Sequence, residues 1–341
     1  MALSASLRAS LARNAPALGG APLGNLFGAI DDDAAARVVA AAWEAGVRYF
    51  DTAPHYGHGR SEVRMGAALR GRPRDAFMLS TKVGRLLEPD AHAARDQHGY
   101  VDTLPFVQRL DYGADAIRRS LDDSRRRMGI DRIDLAYAHD CDPATLGAAF
   151  PKHWDDLVRS GFPALARLQA DGDITGWGVG VNGVDICLRV LEVADPDVIL
   201  LAGRYTLADQ QALPALLPRC VERGVAIVLG GPFNSGILAT GAAPAQGEPM
   251  FDYGPAPMEV RARVAAIERV CAAFGVPLQA AALQFPRGHP AVACVLAGAR
   301  SAKEATTNAT LARCPIPAAF WRALVDERLI PADAPLPGHS R

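Results

Sequence analysis

Short apolar segments alternate with amphipathic segments from about residue 16 to the end of the chain. A short apolar run is typical of a buried strand, whereas apolar positions three and four residues apart are typical of a helix packed on one face. The segments that fit the strand pattern are 17–21, 47–50, 77–81, 133–138, 174–181, 198–202, 225–229 and 292–297. Strands that alternate with helices predict a parallel sheet covered by helices.

The intervening segments show the helical period, and 112–128 shows it most clearly. One face of that segment carries Ile117, Leu121, Ser124 and Met128, while Arg118, Asp122, Arg125 and Arg126 point elsewhere. Because the β and α signals repeat around the whole chain, the pattern favours a closed (β/α)₈ TIM barrel over an open, doubly wound sheet.

Two long loops interrupt the pattern, at 84–111 and 231–257, and each comes directly after a strand. Barrel enzymes carry their active-site loops in that position. We therefore expect one α/β unit with long loops after its strands. The expected divisions are an N-terminal extension at 1–15, the barrel at 16–330 and a tail at 331–341, with the apolar segment 320–325 as a docking helix.

The charge balance argues against several classes of partner. The chain carries 36 Lys and Arg residues against 37 Asp and Glu residues, a formal charge of −1, which provides no field to attract nucleic acid or an anionic membrane. The basic run 125–127 follows Asp122 and Asp123 on the same predicted helix, so we interpret it as a solvated helix face. No apolar run reaches the roughly 18 residues of a membrane span.

The six cysteines are scattered and form no Cys-x-x-Cys pair or zinc-finger spacing. This distribution predicts free thiols, no bound metal and a cytoplasmic location. The first 14 residues lack acidic side chains and faintly resemble a transit peptide, but an alanine-rich extension is the favoured interpretation.

Titratable residues stand where strands end. Asp51, Lys82 and His139 each close an apolar run, and Tyr56 follows Asp51 by five positions. Since all strand ends of a parallel barrel open on one face, we expect these side chains to converge. An ammonium group beside a phenol favours the phenolate and lowers its pKa, and an imidazole orients a substrate oxygen. The set predicts proton transfer to an alcohol or carbonyl oxygen.

These residues resemble the signature of the aldo-keto reductase superfamily over about residues 16 to 313. The matching segments are Asp51-Thr52-Ala53-x-x-Tyr56-Gly57 with Ser61-Glu62, Ser80-Thr81-Lys82, and Ala138-His139-Asp140. The resemblance implies that Tyr56 is the general acid/base, that Lys82 and Asp51 tune it, and that His139 orients the substrate.

The resemblance also implies a nicotinamide cofactor. The residues expected to bind it are Asn182, Pro232, Ser235, Gly236, Gly298, Arg300, Ser301, Glu304 and Asn308. The turn at 298–301 precedes a predicted helix, whose N-terminus favours phosphate. Glu304 stands where NADP-preferring relatives often carry Arg, which favours NAD, while the nearby Arg300 argues for NADP. We expect NAD, with NADP as the alternative.

One glycine-rich run and two single positions also concern the cofactor. The run 178–183 spells Gly-x-Gly-x-x-Gly, but the strand after it, 198–202, ends without the acidic residue that a ribose requires, so we reject a Rossmann site. Ala202 stands where most relatives carry Gln, and Gly230 where many carry an aromatic that stacks on nicotinamide.

A closer likeness is to the branch that contains D-threo-aldose (L-fucose) 1-dehydrogenase and pyridoxal 4-dehydrogenase, carried by segments 19–26, 111–112, 203–207 and 231–236. It implies oxidation of an aldose hemiacetal of the L-fucose type to its lactone, without a metal. The alternatives are a pyridoxal 4-dehydrogenase, an NADPH-dependent aldehyde reductase and a non-catalytic cofactor-sensing subunit.

The remaining expectations concern the substrate. His55, Trp154 and Phe233 are candidates to line a sugar or aldehyde pocket; packing on the barrel rim is the alternative for His55, and core packing is the favoured interpretation for Trp154. The partner is expected to be a small molecule, and the protein a monomer or homodimer.

Overall fold

The computed structural model describes residues 5–13, 16–245 and 247–338, and within them eight parallel strands close into a barrel. We number these strands β1 to β8 along the chain; they span Ala17–Gly19, Tyr49–Asp51, Met78–Val83, Leu135–His139, Gly176–Val181, Val198–Ala202, Ala226–Gly230 and Val292–Gly298. Each strand pairs with the next, and β8 closes the barrel on β1. The predicted (β/α)₈ fold is confirmed.

Helices cover the outside of the barrel between successive strands. The α-helices span Ala5–Arg13, Asp32–Glu44, Arg60–Leu69, Ala114–Met128, Pro143–Leu146, Phe150–Asp156, Phe162–Ala170, Val184–Val193, Leu216–Arg223, Ile237–Thr240, Met258–Phe274, Leu278–Gln284, Ala302–Leu311 and Ala318–Asp326. Short 3₁₀ turns lie at Pro22–Gly24, Arg74–Ala76, Gly147–Ala149, Asn234–Gly236 and Phe285–Gly288, and a π turn lies at Leu157–Gly161.

Both long loops fold into β-hairpins that the sequence did not reveal. After β3, Arg85–Pro89 pairs with Phe106–Leu110, and after β7, Met250–Phe251 pairs with Gly254–Pro255. In the first hairpin burial alternates along Phe106–Leu110, between half-buried and exposed positions, but not along Arg85–Pro89, whose first three residues are all buried. The loops therefore place ordered backbone at the carboxyl ends of the strands.

A helix closes the opposite end of the barrel. Leu7 and Leu11, from Ala5–Arg13, are buried with the inward-facing residues Met78, Leu135 and Val198. The segment expected to be a mere extension thus fills the amino-terminal opening with apolar side chains. Residues 1–4 and 14–15 of that extension, and 339–341 of the expected tail, lie outside the described residues.

The expected docking helix at 320–325 lies within Ala318–Asp326. Its rings pack in the core, with Phe320 against Phe274 and Trp321 against Phe285, so this helix contributes to packing. Across the part of the chain that the structure describes, no single helix is long and apolar enough to cross a membrane; one bent pair, Met258–Phe274 with Leu278–Gly288, passes on length and composition.

The basic run on Ala114–Met128 is only partly a solvated face. Arg125 pairs with Asp122 at 2.9 Å, and Arg126 pairs with Asp123. Arg127 instead turns inward to Glu62, whose side chain is fully buried, with 2.5 Å between Nε and Oε2. The interpretation of this run as solvent-facing is wrong for Arg127, because a neighbouring helix offers it a buried carboxylate.

Candidate active site

The carboxyl ends of neighbouring strands carry the candidate residues. Asp51 closes β2, Lys82 lies near the end of β3, and His139 closes β4. Tyr56 lies in the loop that follows β2, before the helix Arg60–Leu69. Because β2, β3 and β4 are adjacent and parallel, the fold brings these residues to one mouth of the barrel.

Lys82 and Asp51 form a buried ion pair with 2.6 Å between Nζ and Oδ2, and both side chains are 1% exposed. Lys82 also donates to the Thr52 carbonyl at 2.9 Å. A glycine on β5 leaves room for the lysine, since a Cβ on Gly180 would lie 3.4 Å from Lys82 Cε. The Gly-x-Gly pattern at 178–180 therefore serves packing of the barrel, in agreement with the rejection of a Rossmann site.

A chain of buried hydroxyl groups supports the ion pair from below. Ser80 donates to Asp51 Oδ1 at 2.6 Å, and the Tyr49 hydroxyl lies 3.0 Å from both Ser80 Oγ and the Tyr137 hydroxyl. Tyr49 and Tyr137 were not identified from the sequence as members of this network. The sequence pattern that could have indicated them is their inward-facing position on strands that end in site residues.

Tyr56 lies against both Lys82 and His139. The Lys82 ammonium is 4.7 Å from the centroid of the Tyr56 ring. The His139 ring stands edge-on to Tyr56 at a centroid distance of 5.9 Å. The structure thus brings together the four residues that the sequence singled out.

The electrostatics of Tyr56 differ from the expectation. Burial, and then the Asp51 carboxylate, raise the pKa of Tyr56 well above its ordinary value. The prediction that Lys82 lowers the pKa of the phenol is therefore wrong, because the lysine charge is balanced by Asp51 at 2.6 Å. Burial also raises the pKa of Asp51, and Lys82 opposes that shift.

The surroundings of His139 keep its imidazole neutral. Burial, and then the nearby Lys82 and Arg85 cations, lower the pKa of His139 well below its usual range. Its Nδ1 is buried without a hydrogen-bond partner among the described residues. Its Nε2 lies 3.5 Å from the Asp140 carboxylate. A neutral imidazole in this position has hydrogen-bonding capacity for a substrate oxygen.

The hairpin after β3 adds a polar wall beside Tyr56. Arg85 donates to Asp140 Oδ2 at 2.7 Å and to Gln108 Oε1 at 2.9 Å. Gln108 in turn contacts the imidazole of His55, whose ring lies 5.7 Å from that of His139 and 6.3 Å from that of Tyr56. Arg85 and Gln108 were not identified from the sequence, because only the hairpin brings them to the site.

The other expected substrate residues are placed differently. Trp154 packs in the core between Phe150 and Phe162, with the Arg189 guanidinium 4.5 Å from its ring. The expectation that it faces a substrate is therefore wrong, because the helix Phe150–Asp156 turns this ring inward. Phe233 packs partly against the core, and its contact with a substrate stays a prediction.

A cleft of about 210 Å³, partly open to solvent, runs from Asp51 and Tyr56 across the ends of β1, β6, β7 and β8. Backbone lines much of it, since its walls include Gly19, Gly20, Gly203, Gly230, Gly231 and Gly298. A Cβ on Gly20 would lie 2.7 Å from the Asp51 carbonyl, and one on Gly298 would lie 2.9 Å from Pro22. Packed neighbours therefore leave no room for a side chain at Gly20 or Gly298.

Aromatic side chains stand on either rim of this cleft. Phe27 is 57% exposed and Tyr253 is 54% exposed, and both line the cleft. Tyr253 donates its backbone N–H to Ser235 Oγ at 2.9 Å. The aromatic that is missing at Gly230 is thus matched by Tyr253 from the hairpin after β7.

Only some of the residues expected to bind cofactor line the cleft. Ser235 and Gly298 line the cleft, whereas Asn182 does not; its carbonyl accepts from Arg204 Nε at 2.7 Å. Asn308 donates to the Gly298 carbonyl at 3.2 Å and so supports the turn from behind. Pro232 is buried and Gly236 lies at a positive φ of 123° beside the 3₁₀ turn; neither lines the cleft.

Ser301 and Glu304 form a capping box at the helix Ala302–Leu311. Ser301 Oγ accepts the Glu304 N–H at 3.2 Å, and the Glu304 carboxylate accepts the Arg300 N–H at 2.9 Å. The Arg300 guanidinium reaches away from the helix to the Leu26 carbonyl at 2.9 Å. A carboxylate thus stands at this helix N-terminus, a position that favours negative charge.

The cleft has the features that a dinucleotide needs. It ends at Tyr56 on one side and extends to Gly298, beside the helix Ala302–Leu311, on the other. Its glycines allow close approach to backbone, and Tyr253 offers a ring for stacking. The residues present therefore fit a nicotinamide dinucleotide, with its reactive ring near Tyr56.

Comparison with known proteins agrees with this geometry. A sequence profile of the aldo/keto reductase family matches residues 17–326. Pyridoxal 4-dehydrogenase from Microbacterium luteolum is 43% identical over 334 residues, 95% of this chain and 96% of the relative. D-threo-aldose 1-dehydrogenase from Pseudomonas sp is 41% identical over 331 residues, 96% of this chain and 98% of the relative.

Solved structures share the fold. The holo form of an aldo-keto reductase from Bacillus halodurans superposes with a TM-score of 0.71 at 24% identity, over 94% of this chain and 93% of that one. Since the family profile covers most of the chain and two relatives exceed 40% identity along nearly their whole length, the chain belongs to the aldo/keto reductase family of NAD(P)-dependent oxidoreductases.

Proposed function

We propose that this enzyme oxidises the cyclic hemiacetal of an aldose of the L-fucose, or D-threo-aldose, type to its lactone, with NAD as the hydride acceptor. The observation that carries the proposal is the polar wall beside Tyr56, where Arg85, Gln108, Asp140 and His55 form one hydrogen-bonded chain. A polyhydroxylated substrate needs such donors and acceptors, whereas a simple aldehyde does not.

In the proposed reaction Tyr56 exchanges the proton of the anomeric hydroxyl group. The hydroxyl would give its proton to the deprotonated oxygen of Tyr56 as the anomeric carbon gives up hydride, and the C–O bond would become the carbonyl of the lactone. The bound nicotinamide supplies the acceptor for that hydride. His139 hydrogen-bonds the same oxygen, and the buried Lys82–Asp51 pair fixes the base of the site.

The preference for NAD over NADP rests on the capping box. The Glu304 carboxylate lies at the N-terminus of Ala302–Leu311, where it would repel a 2′-phosphate and accept a hydrogen bond from a free ribose hydroxyl. Arg300, which alone would favour NADP, is engaged with the Leu26 carbonyl. Both features support NAD.

The second candidate is oxidation of pyridoxal at its 4-position, which the 43% identity to pyridoxal 4-dehydrogenase favours. Initial rates with NAD and NADP, each with L-fucose, D-arabinose and pyridoxal, separate the two. We expect the highest kcat/KM with NAD and a sugar. Greater activity on pyridoxal would replace the aldose assignment, and rapid NADPH-dependent aldehyde reduction with no oxidation of any of the three would refute both.

The role of Tyr56 is tested by Tyr56→Phe, with Tyr205→Phe as the matched control. Tyr205 is a buried tyrosine between Phe285 and His289 whose hydroxyl has no partner among the described residues. We expect Tyr56→Phe to lower kcat by at least about a hundredfold while dinucleotide binding remains. Retention of turnover in Tyr56→Phe would remove it from the chemistry.

We further propose a cytoplasmic enzyme that works as a monomer or homodimer, with the barrel at 16–330 as its functional unit. The cysteines support this location, because each is a free thiol. Sedimentation velocity at micromolar concentration distinguishes the two oligomeric states, and a larger assembly would contradict the proposal.

A further inference from the structure

Gln108 lies between a cation and an imidazole in the wall of the proposed substrate site. Its Oε1 accepts from Arg85 NH1 at 2.9 Å. The Nδ1 of His55 lies 2.9 Å from Gln108 Nε2 and 3.1 Å from Gln108 Oε1. An amide in this position decides which nitrogen of the histidine carries the proton, since its oxygen accepts and its nitrogen donates.

The surroundings favour His55 Nδ1 as the acceptor. Arg85 has only donors, so it holds the amide oxygen towards itself and leaves the amide N–H groups for His55, where the shorter contact lies. The lone-pair side of a neutral imidazole is also the side that a nearby guanidinium attracts. The proton of His55 is then on Nε2.

The other side of His55 faces the site. Its ring lies among those of Tyr56, His139, Tyr100 and His98, at centroid distances between 5.3 Å and 6.3 Å. Among the described residues, no protein group accepts a hydrogen bond from His55 Nε2. Burial and the Arg85 cation lower the pKa of His55 to about 3, so the ring stays neutral at physiological pH.

We propose that Arg85 and Gln108 are positioning residues that hold His55 as an Nε2–H donor, and that His55 uses this donor to bind a substrate oxygen on the carbon next to the reacting one. The site would thereby select substrates that carry a hydroxyl group there over their deoxy counterparts. The substrate part of this inference rests on the proposed function, whereas the state of His55 does not.

The state of His55 is measured directly by the imidazole ¹⁵N chemical shifts of the labelled protein. We expect a protonated Nε2 and an unprotonated Nδ1 in the unaltered enzyme. Gln108→Glu offers only acceptors to Arg85 and His55, so it should reverse the assignment. Arg109→Gln is the matched control on the same strand, because Arg109 is exposed and pairs with Glu88 and Asp111. A protonated Nδ1 in the unaltered enzyme would overturn the inference.

Selectivity is measured as the ratio of kcat/KM for an aldose to that for its 2-deoxy analogue. We expect the unaltered enzyme and Arg109→Gln to favour the hydroxylated sugar by about tenfold, mainly through KM, which corresponds to one hydrogen bond. Gln108→Glu should bring the ratio close to one. An unchanged ratio in Gln108→Glu, after the shifts have reversed, would show that His55 does not bind this oxygen.

The two measurements fail independently. If neither sugar is oxidised but pyridoxal is, the aldose assignment is lost together with the substrate part of this inference, because the carbon next to the reacting carbon of pyridoxal carries no hydroxyl group. If none of these compounds is oxidised, the proposed function is refuted, while the ¹⁵N shifts still decide whether Arg85 and Gln108 set the state of His55.

Discussion

At the scale of single residues, the partner of Lys82 decides how the site works. The ammonium lies 2.6 Å from Asp51 Oδ2, and this carboxylate offsets the effect of the lysine charge on Tyr56. Burial then dominates, and the pKa of Tyr56 rises. A neutral phenol donates a hydrogen bond readily and accepts a proton poorly, so oxidation, in which Tyr56 accepts a proton, should be faster at alkaline pH.

The first prediction follows from that sign. Oxidation requires the deprotonated form of Tyr56, which becomes populated only as pH rises towards its raised pKa. We expect log kcat/KM for oxidation to rise steadily from about pH 7 to about pH 10. His55 and His139 should add no ionisation step in that range, because their lowered pKa values keep them neutral. A plateau reached below about pH 7 would contradict the prediction.

The hydroxyl chain under the ion pair gives a second prediction. Ser80→Ala removes the 2.6 Å donor to Asp51 Oδ1 and leaves a buried carboxylate oxygen with one partner fewer. We expect the free energy of unfolding to fall by about 1–3 kcal/mol in urea titrations. Ser120→Ala is the control, because the buried Ser120 hydroxyl has no partner among the described residues. Equal losses in both variants would show that the bond to Asp51 adds no stability.

At the scale of elements, the two hairpins bring side chains to the site that the barrel strands do not supply. The hairpin after β3 brings Arg85 and Gln108 to the polar wall. The hairpin after β7 is anchored by Asp252, which pairs with Arg204 through contacts of 2.9 and 3.0 Å. That anchor holds Tyr253 at the cleft, where β6 and β7 end in the small residues Ala202 and Gly230. Loop residues therefore supply the groups that the barrel lacks.

A third prediction concerns Tyr253. If its ring stacks on the bound nicotinamide, Tyr253→Ala should weaken NAD binding by about fivefold to tenfold, the contribution of one aromatic contact. Met258→Ala is the control, because Met258 is 83% exposed close to the same hairpin. Calorimetric titration with NAD provides the measurement. Equal Kd values for Tyr253→Ala and the unaltered enzyme would show that Tyr253 does not replace the stacking aromatic that is missing at Gly230.

The capping box gives a fourth prediction. Glu304→Ala removes the carboxylate that stands at the N-terminus of Ala302–Leu311. We expect NADP binding to strengthen by about tenfold while NAD binding changes little, because like-charge repulsion acts only on the 2′-phosphate. Glu259→Ala, at the start of the helix Met258–Phe274, is the matched control. A Kd for NADP that does not change would separate Glu304 from cofactor choice.

At the scale of the whole molecule, the two ends of the barrel have different tasks. Polar groups and the cleft occupy the carboxyl ends of the strands, whereas Leu7 and Leu11 fill the amino-terminal opening. Burial of these leucines stabilises the barrel without contributing to chemistry. The helix Ala5–Arg13 is thus part of the folded core although its sequence looks like an extension.

The fifth prediction tests that division. Leu11→Ala creates a cavity at the closed end, where Leu11 is 0% exposed, and should lower the free energy of unfolding by about 2–5 kcal/mol. The Kd for NAD should not change, since the cleft lies at the other end. Val193→Ala, at a position 47% exposed, should cost far less. Loss of NAD binding in a folded Leu11→Ala protein would show that the two ends are coupled.

The sequence alone determined the barrel and the positions of Asp51, Tyr56, Lys82 and His139. Strand and helix periods are local properties of the chain, and in a parallel barrel the end of every strand reaches the same mouth. Once the strands were recognised, the convergence of these residues followed from topology, without knowledge of any contact.

Only the tertiary structure decided what each side chain meets there. Lys82 pairs with Asp51, Trp154 turns into the core, Glu304 caps a helix, and Gln108 reaches His55. Each outcome is a competition among partners far apart in sequence, settled by distances of a few tenths of an ångström and by burial. No local pattern records those distances, so the charge state of Tyr56 was accessible only from the folded molecule.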